Sequence, residues 1–231
     1  MSKIIHQVWI TEGQPVPEPV EMWRRLAAEN GWEHKLWDEA ACAAAEMVNR
    51  RLYEKFMKMG DACAASQVVR MDVAHQFGGI YLDCEFAPVA STIDNYLPLD
   101  KGLFIGVTEN NYPAPHCEYS ECSLSRLPSA VHLSNGVFYS PVGDPIVEAV
   151  VKGMEDTLTY QKMRGTTFSP WGSIGCFYLT NVAKSHPFIL MPMYRVYASP
   201  EELACGDKAA FRKDAFCCYV DNKDFKRLSV L

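Results

Sequence analysis

The sequence predicts an α/β fold in which helices flank a mixed, mostly parallel sheet. Short apolar segments rich in β-branched residues alternate along the chain with longer segments whose apolar residues recur at helical spacing. Such alternation is typical of strands joined by helical crossovers. The chain has 231 residues, 48% of them hydrophobic, which is enough for one domain with a buried core. We therefore expect a single domain over residues 1–231.

The first half of the chain alternates between strand and helix patterns. Runs of β-branched and aromatic residues indicate the strands, and apolar residues spaced three or four apart indicate the helices. Gly31 and the Gly78-Gly79 pair are typical of helix ends, and Asp38 is typical of a helix start. Strands are predicted over residues 3–10, 32–37 and 80–82, and helices over 18–30, 38–60 and 61–77.

The second half contains the same kinds of element and one long irregular segment. Residues 108–132 include three prolines, and loops of this length are usually functional or mobile. Strands are predicted over residues 103–107, 135–140 and 188–191, and helices over 145–163 and 175–185.

The charge balance argues against polyanionic partners. The chain has 22 basic and 28 acidic residues, a net charge of −6, and it lacks a basic run that would neutralise a row of phosphates. We therefore expect neither nucleic acid nor an anionic membrane surface to be a partner.

The apolar segments of the sequence are too short for a membrane protein. No run approaches the ~18 consecutive apolar residues that span a bilayer, and residues 1–6 lack the apolar core of a signal peptide. The nine cysteines, an odd number in a chain without an export signal, are expected to be reduced. We predict no integral membrane segment and a cytoplasmic location.

Two acidic residues follow the predicted strand at residues 80–82. In an extended segment Asp83 and Glu85, two positions apart, point to the same side. Ligands of open α/β sheets bind beyond the carboxyl ends of strands, where this pair would lie. Mg²⁺ and Mn²⁺ prefer carboxylate oxygens, and substrate phosphates often complete their coordination. The pair therefore predicts a divalent cation site, although two exposed acids in a turn are also common.

Three longer motifs carry a resemblance to a known family. The sequence reads Ile-Ile-His-Gln-Val-Trp over residues 4–9, Ala-Ala-Ser-Gln-Val-Val-Arg over 64–70, and Gly-Gly-Ile-Tyr-Leu-Asp-Cys-Glu over 78–85. This combination resembles glycosyltransferase family 32, a group of sugar-binding transferases with a DXD motif that includes capsular polysaccharide enzymes and the initiating yeast α-1,6-mannosyltransferase. Weaker likeness continues through residues 135–140 and 175–180.

The resemblance implies a GT-A-like fold and a retaining glycosyltransferase. Such an enzyme moves a hexose from a UDP- or GDP-sugar donor to a carbohydrate acceptor, here a polysaccharide or a lipid-linked glycan. Mn²⁺ or Mg²⁺ would offset the charge on the departing nucleoside diphosphate. In similar enzymes the usual proposal is attack by the acceptor hydroxyl on the face that the diphosphate leaves, and no motif here places a nucleophile for a double displacement.

The resemblance also assigns roles to individual residues. Trp9 is expected to stack on the donor base, because a flat aromatic face contributes about 1–3 kcal/mol per base. The guanidinium of Arg70 is expected to bind donor sugar hydroxyls or the diphosphate. The implied catalytic residues are Asp83, Glu85 and Arg70; the implied substrate-binding residues are Trp9, Gln67, Tyr81, Asn135 and Gly175; the implied metal ligands are Asp83, Glu85 and Asp221.

Three departures from the family pattern keep other functions open. Gln67 stands where the family has Asp, Glu85 replaces the second Asp of the motif, and the C-terminal residues lack the family's His and Ser-Trp, for which Asp221 or Asn222 is a candidate substitute. One alternative is a sugar- or nucleotide-sugar-binding protein that has lost turnover. Another is a sugar nucleotidyltransferase, although no glycine-rich phosphate loop follows the first strand.

Two further groups of polar residues have a different interpretation. Asp72 and His75 are predicted to lie on a solvated face of the helix at 61–77. Four zinc-type ligands occur in or beside the irregular segment, but their spacing fits no common zinc pattern and we interpret them as ordinary loop residues. They are His116, Cys117, Cys122 and His132.

Overall fold

Strands and helices alternate through the residues that the computed structural model describes, which are 2–11, 13–95, 103–107, 120–122, 132–190 and 216–219. The strands are β1 (Ile4–Val8), β2 (Glu33–Trp37), β3 (Gly79–Leu82), β4 (Phe86–Pro88), β5 (Phe104–Val107), β6 (Ser120–Cys122), β7 (Leu133–Ser140), β8 (Phe188–Leu190) and β9 (Cys217–Tyr219). The helices are α1 (Glu18–Glu29), α2 (Glu39–Ala44), α3 (Arg50–Lys58), α4 (Ala62–Phe77), α5 (Pro145–Met163) and α6 (Cys176–Ala183), and a π-helical turn spans Pro170–Ile174.

The larger sheet has the strand order β2-β1-β3-β7-β5-β8-β6. Its pairings make β2, β1, β3, β5 and β8 run in one direction and β7 and β6 run in the other. A second, two-stranded sheet joins β4 and β9 antiparallel. The prediction of a mixed, mostly parallel sheet flanked by helices is confirmed.

Two apolar cores form on opposite faces of the larger sheet, because successive strand residues point to opposite sides. On β3, Ile80 and Leu82 join the core that also contains Trp23 of α1, whereas Tyr81 joins the core formed with α3 to α6. Helix α4 is buried along most of its length rather than on one stripe. It therefore lies between the sheet and the outer helices, and it carries its polar residues into the interior.

The prediction of one helix over residues 38–60 is wrong in one respect, because this segment forms two helices, α2 and α3. The break allows Asn49 to reach the carboxylate of Asp72 on α4, with its backbone N–H and its amide each 2.9 Å from an Asp72 oxygen. The same amide also donates to the Val151 carbonyl. Asp72 is 0% exposed, so its assignment to a solvated face is also wrong. A buried carboxylate needs such partners, and this requirement overrides the helix propensity of the alanine-rich run.

Four elements escaped prediction. The segment 108–132, interpreted as irregular, contains the short strand β6, and the π-helical turn precedes α6. Strands β4 and β9 pair with each other across a large separation in sequence. Each has three residues, too few for a period-two pattern to stand out.

The Gly78-Gly79 pair is required by local geometry. Both residues have positive φ, +59° and +103°. A Cβ at Gly79 would collide with the carbonyl oxygen of Ile4 on the neighbouring strand, and one at Gly78 would lie 2.7 Å from the Val142 nitrogen. The two glycines therefore let the chain pass from α4 into β3 at a point where its backbone lies close to those of Ile4 and Val142.

Gly79→Ala is expected to destabilise the protein far more than Gly60→Ala. Gly60 also has positive φ, +71°, but a Cβ there would meet nothing within 4 Å. The control change should cost only the backbone strain, about 1 kcal/mol, whereas the collision at Gly79 should bring the loss to roughly 3 kcal/mol or more. Urea unfolding of the two variants measures the difference, and equal losses would contradict the close approach.

Within the described ranges, no helix has both the length and the apolar character needed to cross a bilayer.

Candidate functional site

The site lies where β3 ends and the chain turns into β4. Asp83 to Phe86 form a turn in which the Phe86 N–H donates to the Asp83 carbonyl at 3.1 Å. This geometry corrects the expectation of an extended Asp83-Cys84-Glu85 segment. Asp is favoured at the first position of such turns, so the residue that begins the motif also begins the turn. The Cys84 thiol lies 3.2 Å from the Val8 carbonyl, which fixes the turn against the end of β1.

Asp83 forms an ion pair with Arg70 of α4. Arg70 Nη2 lies 2.9 Å from Asp83 Oδ1, and Nη1 lies 3.4 Å from Oδ2. The Tyr81 hydroxyl donates to the same Oδ1 at 2.8 Å. The side chain of Arg70 is 6% exposed and that of Asp83 is 29% exposed. The guanidinium is thus internal, while the carboxylate reaches from it toward solvent.

The electrostatics of the pair follow from this burial. Burial alone would lower the pKa of the Arg70 guanidinium, but the negative charge of Asp83, with smaller contributions from Tyr81, Cys63 and the hydrogen bond to Asp83, outweighs burial and the pKa is raised. Burial raises the pKa of Tyr81 well above its usual value, with the Asp83 charge adding to that effect and Arg70 opposing it. Arg70 is therefore charged and Tyr81 neutral, so Asp83 keeps an ionic partner and a neutral hydrogen-bond donor.

Gln67, Arg70 and Asn135 form a buried polar layer beneath the ion pair. Arg70 Nη1 donates to the Asn135 carbonyl at 2.8 Å, and the Asn135 amide donates to Gln67 Oε1 at 2.5 Å. Arg70 Nε is also buried and has no hydrogen-bond partner among the described residues. The layer joins α4 to the beginning of strand β7 and holds the guanidinium in place beside Asp83.

Gly136 belongs to the candidate site, and the sequence interpretation missed it. A Cβ there would lie 2.6 Å from Asp83 Oδ2, and the Gly136 carbonyl accepts from the Asp83 N–H at 2.7 Å. An isolated glycine within a strand pattern signals such a close approach, and this signal was present beside Asn135. Gly136 leaves room for the Asp83 carboxylate.

Glu85 supplies the second carboxylate of the site. Its side chain is half-buried, and burial together with the negative charge of Asp83 raises the pKa of Glu85. Two carboxylates within electrostatic range offer hard oxygen ligands and repel each other, and a divalent cation between them would relieve this repulsion. These carboxylate oxygens would suit Mn²⁺ or Mg²⁺, and Glu85 would be the direct ligand because Arg70 and Tyr81 already engage Asp83. Among the described residues no cluster of three or more His, Cys, Asp or Glu forms a complete metal cage.

Trp9 lies at the same edge of the sheet. Strand β1 pairs in parallel with β3, with His6 opposite Tyr81, so the residues that follow both strands leave the sheet together. The Trp9 side chain is half-buried, and its indole N–H donates weakly to the Gln14 carbonyl at 3.4 Å. This placement suits the expected contact with a donor base, which stays a prediction.

Three residues that were expected to bind substrate or metal are not placed for direct contact by the described part of the structure. Tyr81 is 1% exposed and acts on the site through Asp83. Gly175 lies between the π-helical turn and α6, where a Cβ would be 2.7 Å from Trp171 Cα, so the structure gives it a packing role. Asp221 lies outside the described residues, as do His116 and Cys117 of the zinc-type set.

The fold resembles solved glycosyltransferases. One is described as the PaToxG glycosyltransferase. Its sequence is 18% identical to this one, the match covers 78% of this chain and 68% of the PaToxG chain, and the TM-score is 0.55. A glycosyltransferase involved in the glycosylation of the major capsid of PBCV-1 is 10% identical over 100% of both chains, also with a TM-score of 0.55. No protein-family model and no curated protein matches the sequence. The chain thus has a GT-A-like fold, as the sequence predicts.

Proposed function

We propose that this protein is a metal-dependent, retaining glycosyltransferase of the family 32 kind. It would move a hexose from a UDP- or GDP-sugar to a carbohydrate acceptor, with a polysaccharide or a lipid-linked glycan as the acceptor class. The observation that carries the proposal is the buried Arg70 guanidinium that holds Asp83 at the end of β3, beside Glu85. In a GT-A-like fold this edge of the sheet is where a phosphorylated ligand fits best.

The residues of the site have complementary tasks in this proposal. Arg70 and Tyr81 orient Asp83, whose exposed edge is then available to hydroxyls of the donor. Glu85 would hold the cation, with the donor diphosphate on its far side. Trp9 would stack on the base at the neighbouring strand end. When bound, the cation would offset the negative charge that develops on the departing diphosphate.

The proposal predicts nucleotide-sugar turnover that depends on Glu85. The protein is incubated with Mn²⁺ and each of a panel of UDP- and GDP-sugars, and release of UDP or GDP is measured. Glu85→Gln removes the charge that a cation needs while retaining the shape of the side chain, so hydrolysis should fall by roughly 100-fold or more. Glu148→Gln, an exposed change on α5, is the control and should leave the rate unchanged. A rate independent of Glu85 would contradict the metal role.

Retention can be tested in the same reaction. NMR of the first-formed sugar product reports its anomeric configuration before mutarotation. The proposal expects the configuration of the donor to be kept, and an inverted product would contradict it.

A binding protein without turnover is the second candidate, and the amide pair of Gln67 and Asn135 favours it. Both side chains are buried and satisfy each other, so the position where the family has an acid presents no charge to a donor. This candidate predicts saturable nucleotide-sugar binding with no release of UDP or GDP from any member of the panel.

A further inference from the structure

Two exposed aromatic side chains lie in the π-helical turn and at the start of α6. Trp171 within the turn is 59% exposed, and Phe177 in the first turn of α6 is 40% exposed. A Cβ at Gly172, the residue after Trp171, would lie 3.9 Å from the Phe177 ring, so Phe177 packs beside the turn that carries Trp171. Exposed aromatic groups of this size are costly to leave in water and commonly mark binding surfaces.

The backbone beneath these side chains is held in place. Ser169 caps the turn, and its hydroxyl accepts from the Gly172 N–H at 3.3 Å. The preceding Phe168 stacks on Phe56 of α3 with ring centroids 5.3 Å apart. The absence of a Cβ at Gly175 lets α6 start directly against Trp171. A π-helical turn in this position is often found at functional sites, and here it presents Trp171 from an ordered base.

The aromatic pair is continuous with the candidate site. The His132 ring meets the Phe177 ring edge-on with centroids 4.2 Å apart, and the next residue, Leu133, donates to Thr180 of α6. His132 precedes Asn135 of the polar layer by three residues on the same chain segment, a separation of about 10 Å in extended geometry. Burial raises the pKa of Cys176, beside Phe177, and the charge of Arg70 opposes that rise, which places Cys176 within electrostatic range of Arg70.

We propose that Trp171 and Phe177 form the platform on which a pyranose ring of the acceptor glycan stacks. The inference rests on the proposed function for the identity of the acceptor, and it adds where that acceptor binds. The apolar C–H face of a sugar ring suits a flat aromatic surface, and its hydroxyl edge remains in water. The distance to the polar layer corresponds to one or two sugar units, so a ring held here leaves a neighbouring hydroxyl able to reach the donor.

Free oligosaccharides test the platform without knowledge of the natural acceptor. Cellobiose, maltotriose and mannotriose are each titrated against the wild-type protein, with saturation-transfer NMR and tryptophan fluorescence as readouts. At least one should bind in a saturable way, and Trp171→Ala should weaken that binding by roughly tenfold. Trp171→Phe retains a ring and should restore part of the affinity. Val142→Ala removes an exposed apolar side chain at the opposite edge of the sheet, 62% exposed, and should change nothing.

Two results of the binding experiments overturn the platform. One is the absence of saturable binding to all three saccharides, and the other is binding that Trp171→Ala leaves unchanged. A lower mass of Trp171→Ala in analytical ultracentrifugation would also overturn it, because the surface would then be an interface between copies of the chain.

Donor hydrolysis without acceptor separates this inference from the proposed function. Trp171→Ala should hydrolyse the donor at the wild-type rate while transfer to the bound saccharide shows a raised KM. If the protein hydrolyses the donor but its saccharide binding does not depend on Trp171, only the platform is refuted. If saccharide binding depends on Trp171 but the protein hydrolyses no donor, only the proposed transferase activity is refuted.

Discussion

Asp83→Asn is expected to abolish donor turnover and to lower the free energy of unfolding by about 3 kcal/mol. The change keeps the shape of the side chain but leaves the Arg70 guanidinium, 6% exposed, without its counter-charge. Breaking a buried ion pair on one side costs roughly 3–5 kcal/mol, and the 29% exposure of Asp83 places this case near the lower end.

The double variant Arg70→Met/Asp83→Asn tests whether the cost comes from the unpaired charge. Removing both charges should recover most of the lost stability, because a buried pair contributes little relative to an apolar replacement of similar volume. Turnover should not recover, since Asp83 would still be absent. Urea unfolding and UDP or GDP release are measured on the two single variants and the double variant. Additive losses of stability would show that the two residues are not energetically coupled.

The second large effect is a loss of stability in acid that depends on His6. This side chain on β1 is 0% exposed; its Nε2–H donates to the Gly78 carbonyl at 2.8 Å, and its Nδ1 accepts from the Trp37 indole at 3.1 Å. The Trp37 contact requires the neutral ring, because a proton on Nδ1 would face the Trp37 N–H. Burial lowers the pKa of His6 to about 4, and the charges of Lys35 and His34 act in the same direction.

The sign of the effect follows from this lowered pKa. The unfolded chain takes up a proton on His6 near pH 6.5, whereas the folded protein does so only near pH 4. Stability is therefore fully present above pH 6.5 and is lost as the pH falls toward 4, by about 3 kcal/mol in total.

His6→Gln retains a donor and an acceptor but cannot titrate, so it isolates this contribution. Free energies of unfolding are measured for both proteins at pH 8 and pH 4.5. The wild type should lose roughly 2 kcal/mol more than the variant over this interval. Buried carboxyls with raised pKa, such as Asp72, oppose the loss equally in both proteins. Parallel pH profiles would contradict the neutral, buried histidine.

The fold was largely predictable because its strands and helices have strong local patterns. Residues 78–82 show the transition most clearly, where Gly78 ends α4 and Gly79 with three apolar residues forms β3. Asn49 was not predictable, because its partner Asp72 lies on another helix. The pairing of β4 with β9 escaped for the same reason, since it joins segments far apart in the sequence.

The sequence suggested that Arg70, Asp83 and Glu85 lie close together, but it did not predict their geometry. The family resemblance named Arg70, Asp83 and Glu85, and spacing suggested that the two acids share one side of a strand. The structure instead places them in a turn and pairs Asp83 with Arg70. The contact of Asp83 with Arg70 depends on how α4 and β7 approach each other in space. Gly136 permits this contact, but a glycine has no side chain that would make it a candidate site residue.

Anomalous diffraction from crystals grown with Mn²⁺ and UDP, and in parallel with Mn²⁺ and GDP, tests the central claim most directly. The account predicts a manganese peak about 2 Å from a Glu85 oxygen, with the nucleotide diphosphate on its opposite side and Arg70 still paired with Asp83. A nucleotide bound elsewhere, or no manganese peak beside Glu85 with either nucleotide, would contradict the account.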